Sequence, residues 1–459
     1  MSAVRTLDEL RAPPSGELWI EGLAIVDADL ALTSATVIIA RDELLYVGPS
    51  EAAPTPVGSV TRIDGSGWLA APGLINAHTH CPMSFFRGLG HGRKNLIETF
   101  LFPAEKALTP EIIEPLCWSY IYSGLRSGVT CFVDHYYYSA GVAAALERFG
   151  LRGVIGETVA DLGGAFPGRA SWERARGMID AWSYSPRIRP ALAPHAADTV
   201  SRELLTEIAM FATANKLPIH MHLSQTDGEM ARVQAREKTT PVKFAESCGA
   251  LGPETLAVHL VSATPDDCLI LARSGATAGI CPASQVVYER LAPLAALADA
   301  GVPMALGTDC AASNDSADML SEIKLAALLL RDRSASAELS SHTAAERALA
   351  MATINPAKAF GLGNQIGKLE SGRLADVIFL RLDLATLPLH DPLTTLVYSC
   401  GAGQVRHVMV GGEWVLWNQR LVAENEDDLV DGYADAVRRI TQAAGLSAPS
   451  DAGATSRET

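Results

Sequence analysis

The sequence predicts a (β/α)8 barrel accompanied by a small β-sandwich built from both chain termini, and three observations carry that reading. Apolar, β-branched segments alternate with longer amphipathic ones through the middle of the chain, the pattern of a parallel sheet with crossover helices. Eight such segments can be counted: LINAHTH, VTCFVDHYY, RGVIGETV, IRPALAPHA, LPIHMHLS, TLAVHLVS, ATAGICPAS and VPMALGTDC. Finally, short β-rich runs broken by polar or Gly/Pro turns occur near both ends.

Helices are predicted between the strands, among them PEIIEPLCWSYIYSGLRSG, SRELLTEIAMFATANK and DMLSEIKLAALLLRDR. Eight β/α units closing on themselves make a barrel, although an open doubly wound sheet fits the same alternation. The terminal runs ELWIEGLAIVD, ATVIIARDELLYVG and SVTRID, and GRLADVIFLRL and HVMVGGEWVLWNQRLV at the other end, have the pattern of one small antiparallel sheet interrupted by a long insertion. The expected boundaries are 1–71 and 366–425 for the two parts of the sandwich, 72–365 for the barrel and 426–459 for a C-terminal helix and tail. The tail after Ala444 is small and polar and is expected to fray.

With 459 residues, the chain is long enough to bury a deep site. Hydrophobic residues at 48% and charged residues at 19% describe a globular protein. A net charge of −15 excludes nucleic acid as the expected partner, because phosphate binding needs clustered Lys and Arg. No signal peptide or membrane-length apolar run is evident, so the expected location is the cytoplasm. The eight cysteines are scattered without a C-x-x-C pair, which points to reduced, buried thiols. No repeat of solenoid period is found.

In a barrel of this kind, catalytic groups come from the C-terminal ends of the strands. Strand one ends in His78-Thr79-His80, whose spacing sends both imidazoles to one side. Strand five ends in His220-Met221-His222, strand six carries His259, and strand eight ends in Asp309. A lone H-x-H is usually an ordinary pair of histidines. Four strands each delivering a ligand-type residue at the same end make a metal site the better reading. Imidazoles with a carboxylate suit Zn²⁺, with Fe²⁺, Mn²⁺ or Co²⁺ as other candidates.

The segments APGLINAHTH, HMHLSQT, AVHL, LGTDCAASND and INPAKAFGLGNQIGKLESGRLADVIFL together resemble the amidohydrolase superfamily, in its mononuclear-metal branch of aminohydrolases. That branch includes S-adenosylhomocysteine/methylthioadenosine, cytosine and guanine deaminases and the triazine hydrolases. The resemblance runs from about Leu18 to about Val422. It implies one divalent metal per chain on His78, His80, His222 and Asp309. It further implies that His259 sits beside the metal and polarises the attacked carbon's substituent, and that Asp309 takes a proton from the attacking water and passes it to the leaving group. Relatives are commonly homodimers or larger, and the same is expected here.

The sequence also departs from the branch. Where its deaminases have a ring-protonating Glu, three residues after the strand-five ligand, this chain has Gln225, an amide that holds a hydrogen bond but cannot shuttle a proton. Glu229, a turn onward, either reaches in or is a solvated helix residue. In strand seven, Gln285 stands where Asn is usual, and Tyr288-Glu289-Arg290 replaces a small stretch. His195, His135, Glu98 and Gln285 are candidate substrate contacts, Glu98 and Phe100 lying in the loop expected to close over substrate. The Tyr-rich run after His135 is either a wall for a planar ring or aromatic packing, packing being the plainer reading. GLGHGRKN reads as an active-site loop. His220 is expected to be a buried, hydrogen-bonded histidine, and His91, His342, His390 and His407 are expected at the surface.

These residues predict hydrolytic deamination of an amino-substituted N-heterocycle or nucleoside-like molecule, with Gln225 among the catalytic residues. Displacement of chloride or alkylamine from a triazine-like ring, or amide hydrolysis, uses the same metal. A non-catalytic scaffold is the remote alternative, since no ligand is missing. Neither a G-x-S-x-G elbow nor a phosphate-binding P-loop is present.

Overall fold

The computed structural model describes residues 4–55, 59–288, 290–333 and 339–446; Glu289 and the expected tail beyond Leu446 lie outside them. Its centre is a parallel sheet of eight strands in chain order. They are β1 (Leu74–Thr79), β2 (Val129–Tyr136), β3 (Arg152–Val159), β4 (Ile188–Pro194), β5 (Ile219–Leu223), β6 (Thr255–His259), β7 (Thr277–Ile280) and β8 (Met304–Leu306). All eight fall within the predicted segments. The helices Pro110–Arg126, Arg202–Asn215 and Met319–Arg333 fall within theirs.

The ends of the sheet meet, which settles the choice between an open sheet and a barrel. Just past β8, the Asp309 N–H donates to the His78 carbonyl at 2.9 Å. The Asn76 side chain accepts from the Thr308 N–H at 3.0 Å and donates to Thr308 Oγ1 at 2.6 Å. Gly307 permits this closeness: a Cβ there would lie 2.7 Å from His78 Cβ and 2.7 Å from its backbone nitrogen. Gly307→Ala is therefore expected to destabilise the fold by about 1–3 kcal/mol, as overpacking does. A lowered urea midpoint would show it, and an unchanged midpoint would mean that the seam has slack.

Below the strand ends the interior is filled with side chains such as Ile75, Val133, Val154, Leu256, Val258 and Phe360, so the barrel is solid beneath its mouth. The helix Pro110–Arg126 begins with Pro at its first position after Thr109, and it buries Ile112, Ile113, Leu116 and Tyr120. The Tyr120 hydroxyl donates to the Asp309 carbonyl at 2.8 Å, so the helix after β1 props the end of β8.

Both termini build one ten-stranded sheet. Trp68–Pro72 from the N-terminal part pairs antiparallel with Val377–Arg381 from the C-terminal part, joining the two. The sheet curls around a core of Ile20, Val37, Trp68, Phe379, Met409 and Trp414. It is mixed where an antiparallel sheet was expected, because Leu18–Val26 runs parallel to both Thr61–Asp64 and Trp68–Pro72. The strands Ala31–Ala40 and Glu43–Pro49 make an antiparallel excursion on the other edge of Leu18–Val26, and the chain returns in the original direction.

His91, His342 and His390 are exposed, as expected. His407 is not. Its ring lies in a cage of Trp68, Trp414 and Trp417, with the nearest centroid at 3.9 Å, and its Nδ1 accepts from the Asn418 N–H. Burial pushes it down to about 3, so it is a neutral core residue. All eight cysteines are buried and unpaired. Among the described residues no helix is long and apolar enough to cross a membrane.

Candidate metal centre and active-site cavity

The strand-end residues converge. His78 and His80 leave β1 on one side, and the turn that follows is shaped by Asp134, whose Oδ2 accepts from Thr79 Oγ1 at 2.9 Å and from the Cys81 N–H at 2.6 Å. At the ends of β5, β6 and β8 the backbone bends through left-handed conformations at Ser224 (φ 53°), His259 (φ 79°), Leu260 (φ 56°) and Asp309 (φ 63°). Non-glycine residues adopt that region at a cost, which is tolerated where surrounding contacts over-determine the geometry. Those contacts are present. The Leu260 N–H reaches the Leu223 carbonyl at 3.0 Å, and Gln285 Nε2 donates to the His259 carbonyl at 2.8 Å.

Each histidine of the expected ligand set has its Nδ1 engaged, which turns Nε2 inward. His80 Nδ1 donates to the His135 carbonyl at 2.5 Å and His222 Nδ1 to the His195 carbonyl at 2.7 Å. His78 Nδ1 lies 2.7 Å from His220 Nε2. His220 is thus the buried, hydrogen-bonded histidine expected. The two carbonyl acceptors fix the Nδ1–H tautomer and leave the Nε2 lone pair free, the arrangement that metal-ligating histidines show.

The inward atoms are spaced as a coordination shell. His80 Nε2 and His222 Nε2 are 3.2 Å apart, and Asp309 Oδ1 is 3.6 Å from both His78 Nε2 and His80 Nε2. Bonds of about 2.0–2.1 Å in a tetrahedron place ligand atoms roughly 3.3 Å apart. Two overlapping trios, His78/His222/His259 and His78/His80/Asp309, have donor atoms within 4.8 Å of one another. Buried Nε2 atoms of His78 and His259 have no hydrogen-bond partner. Orphaned lone pairs aimed at a common point fit a cation.

The electrostatics agree. Burial holds His78 down to about 3 and His259 down to about 4, and drives His222 well below its usual range; each is neutral, as a ligand must be. Burial alone would raise the Asp309 carboxyl, but the facing imidazoles of His78, His259 and His80 outweigh this and hold it below the usual range. Asp309 Oδ2 accepts from Ser284 Oγ at 2.6 Å, leaving Oδ1 for the centre.

Above the centre opens a cavity of about 770 Å³, lined by His80, His135, His195, His222, His259 and Asp309 at its polar end. That volume is in the range of small-molecule sites. Tyr136 and Tyr137 also line it, so the Tyr-rich run is a wall as well as packing. Arg93, Lys94 and Asn95 reach the cavity from the Gly-rich segment read as an active-site loop.

The remaining candidates divide. Gln225 lines the cavity, and its side-chain amide makes no hydrogen bond among the described residues. His195 lines it too, with Nδ1 2.9 Å from Thr199 Oγ1. Burial leaves His135 neutral, and neither of its ring nitrogens has a partner. Glu98 is at the mouth, but its carboxylate is 2.9 Å from Arg232, which also holds Asp198. Gln285 lines the cavity while its amide anchors the His259 carbonyl. Phe100 stacks beneath the Arg93 guanidinium, outside the lining.

Glu229 is neither solvated nor directed into the cavity. It is 3% exposed and turns back to accept from the Ser224 N–H at 3.1 Å and the Gln225 N–H at 2.6 Å. It clamps the bend after β5, and burial pushes it up to about 8. The pattern Thr226-x-x-Glu229 at a helix start is a capping signature that announces such a backward contact. Glu105, which was not among the expected contacts, also lines the cavity and accepts from the Tyr136 hydroxyl at 2.8 Å.

Comparison with known proteins places the chain. The model of the Amidohydrolase family matches residues 69–415, and the protein belongs to that family. It is 34% identical over 410 residues to a 5-methylthioadenosine/S-adenosylhomocysteine deaminase of Syntrophobacter fumaroxidans, a match covering 88% of this chain and 93% of that one. It is 33% identical to a 5'-deoxyadenosine deaminase of Methanothermobacter thermautotrophicus over 92% of this chain and 99% of that protein. Among solved structures, an adenosine deaminase from Xanthomonas campestris with bound zinc superposes with a TM-score of 0.86 at 30% identity, covering 94% of this chain and all of that one.

Proposed function

We propose that the protein holds one divalent metal ion, zinc by the nature of its donors, on His78, His80, His222 and Asp309, and hydrolytically deaminates an adenosine-like nucleoside. The observation that carries this is the convergence of three imidazole nitrogens and one carboxylate oxygen, with spacings of 3.2–3.6 Å, at the floor of the cavity. A bound divalent metal supplies a Lewis acid that brings the pKa of water towards neutrality. Asp309, with Oδ2 satisfied by Ser284, has an oxygen to accept the proton of the attacking water and return it to the departing amino group. His259, bent inward by its left-handed backbone, faces the same space and holds the substituent on the attacked carbon. The aromatic wall of Phe102, Tyr136 and Tyr137 suits a planar base.

The test combines elemental analysis of the purified protein with an ammonia-release assay on adenosine and 5'-substituted adenosines. About one metal per chain and ammonia release are expected; a metal-free, inactive protein with an intact fold would overturn the reading. Gln225 favours a second reading, displacement of a better leaving group such as chloride from a heteroaromatic ring, which needs less ring protonation. Gln225→Glu separates them. Under the deaminase reading an added carboxyl beside the ring raises kcat about tenfold or less, by extra acid catalysis, with metal content unchanged. Chloride release by the unmodified protein, without ammonia release, would establish the second.

A further inference from the structure

His78 differs from His80 and His222 in what holds its Nδ1. The Nδ1 of each of those two meets a backbone carbonyl, which can only accept, so its proton is placed. His78 Nδ1 meets His220 Nε2 at 2.7 Å, a ring nitrogen able either to donate or to accept. For His78 Nε2 to offer a lone pair to a cation, the His78 proton must sit on Nδ1 and be donated to His220 Nε2. Burial drives His220 well below its usual range and keeps it neutral, so its one proton then sits on Nδ1. That Nδ1 is buried and has no hydrogen-bond partner among the described residues.

The surroundings of His220 narrow the choice of acceptor. Among the described residues three rings border it: His78, already bonded to it; Phe360, which has no lone pair to offer; and His135, whose centroid is 5.3 Å away with the ring planes at 70°. His135 is itself buried and neutral, and both its nitrogens are unpartnered. Nearly all buried polar side-chain atoms find a partner, protein or water, so three orphaned nitrogens on two adjacent rings point to a shared one. Two nitrogens each about 2.9 Å from one oxygen stand up to about 5.8 Å apart, a span that rings at this centroid distance satisfy.

We propose that His220 and His135 are positioning residues for the metal, linked by one buried water into a chain that runs from His78 through His220 and the water to His135. The His78 Nδ1–H donates to His220 Nε2, the His220 Nδ1–H to the water, and the water to a ring nitrogen of His135. Every ring in the chain is neutral. The chain supports the one tautomer of His78 that leaves Nε2 open, and without His135 that tautomer leaves a buried N–H with no acceptor. This rests on the metal reading above and is independent of the substrate.

The experiment measures zinc affinity by competition with a chromogenic chelator. Hydrogen-bond partners of ligating histidines are worth about 10–100-fold in metal affinity, and His220→Leu should weaken zinc binding by that factor. His135→Leu, one step further along the chain, should cost about tenfold. The double variant should bind zinc no more weakly than His220→Leu alone, because the two residues act through one chain. A packing effect of His135 on His222, whose rings stack at 4.7 Å, would instead persist in the double variant. The second readout is the imidazole nitrogen NMR spectrum of the zinc-loaded wild-type protein, in which His220 should carry its proton on Nδ1. It needs no variant and decides the matter if the leucine variants fail to fold. Wild-type affinity in His220→Leu, a His135→Leu cost that persists in the double variant, or a His220 protonated on Nε2 would overturn the proposal alone. A wild-type protein that binds no zinc would overturn the metal reading and this proposal together.

Discussion

Substitution of His78 by alanine is expected to yield protein with less than about 0.1 metal per chain and ammonia release at least about 10,000-fold below wild type, because catalysis then falls back on unactivated water. His78 is the hub of the centre. It belongs to both donor trios, and the rings of His80, His222 and His259 all meet it edge-on within 5.2 Å. Removing it also leaves His220 Nε2 buried without its partner, a loss of about 1–3 kcal/mol. The variant should therefore unfold at lower denaturant as well as lose metal. Elemental analysis and urea unfolding measure both, and retention of stoichiometric metal by this variant would remove His78 from the ligand set.

Asp309→Asn should act more selectively. Asparagine tolerates the left-handed backbone found at this position, where φ is 63°, so the bend after β8 should survive. The amide can still accept from Ser284, but it cannot take a proton from water. A fall in kcat of about 1,000-fold is expected, in the range of general acid–base catalysis, with KM changed little because the cavity wall is intact. The Asp309 carboxyl is held below its usual range, so it is ionised at all pH values in ordinary use. The loss should therefore be constant between about pH 6 and 9, above the ordinary carboxylate range. A deficit that vanished at high pH would mean that Asp309 only places the metal.

The parts of this fold that were legible in the sequence are those governed by local rules. Alternation and amphipathic period located all eight barrel strands, and strand-end placement brought His78, His80, His222, His259 and Asp309 to one cluster. Contacts set by long-range packing were not legible. His407 resembles a surface histidine until Trp68, from the other end of the chain, closes a cage over it. The parallel pairing of Leu18–Val26 depends on a long hairpin excursion that periodicity does not reveal. Glu105 sits in FLFPAEKAL, where a single acid among apolar residues was a signal of burial, but its position against Tyr136 follows only from the fold. Glu229 carried its sequence signature openly, and what could not be read was that its carboxylate passes Thr226 and reaches the two residues before it.

The orientation of His80 and His222 is owed to the carbonyl oxygens of His135 and His195, groups present whatever side chains those two positions bear. The upper wall of the cavity, by contrast, is made of side chains on the segments beyond the strands: Phe102, Tyr137, Gln225, Tyr288. Mutation has ready access to the second group and almost none to the first. A lineage built on this scaffold can exchange one heterocycle for another by single substitutions around the rim, while the reactive centre passes unaltered from ancestor to descendant.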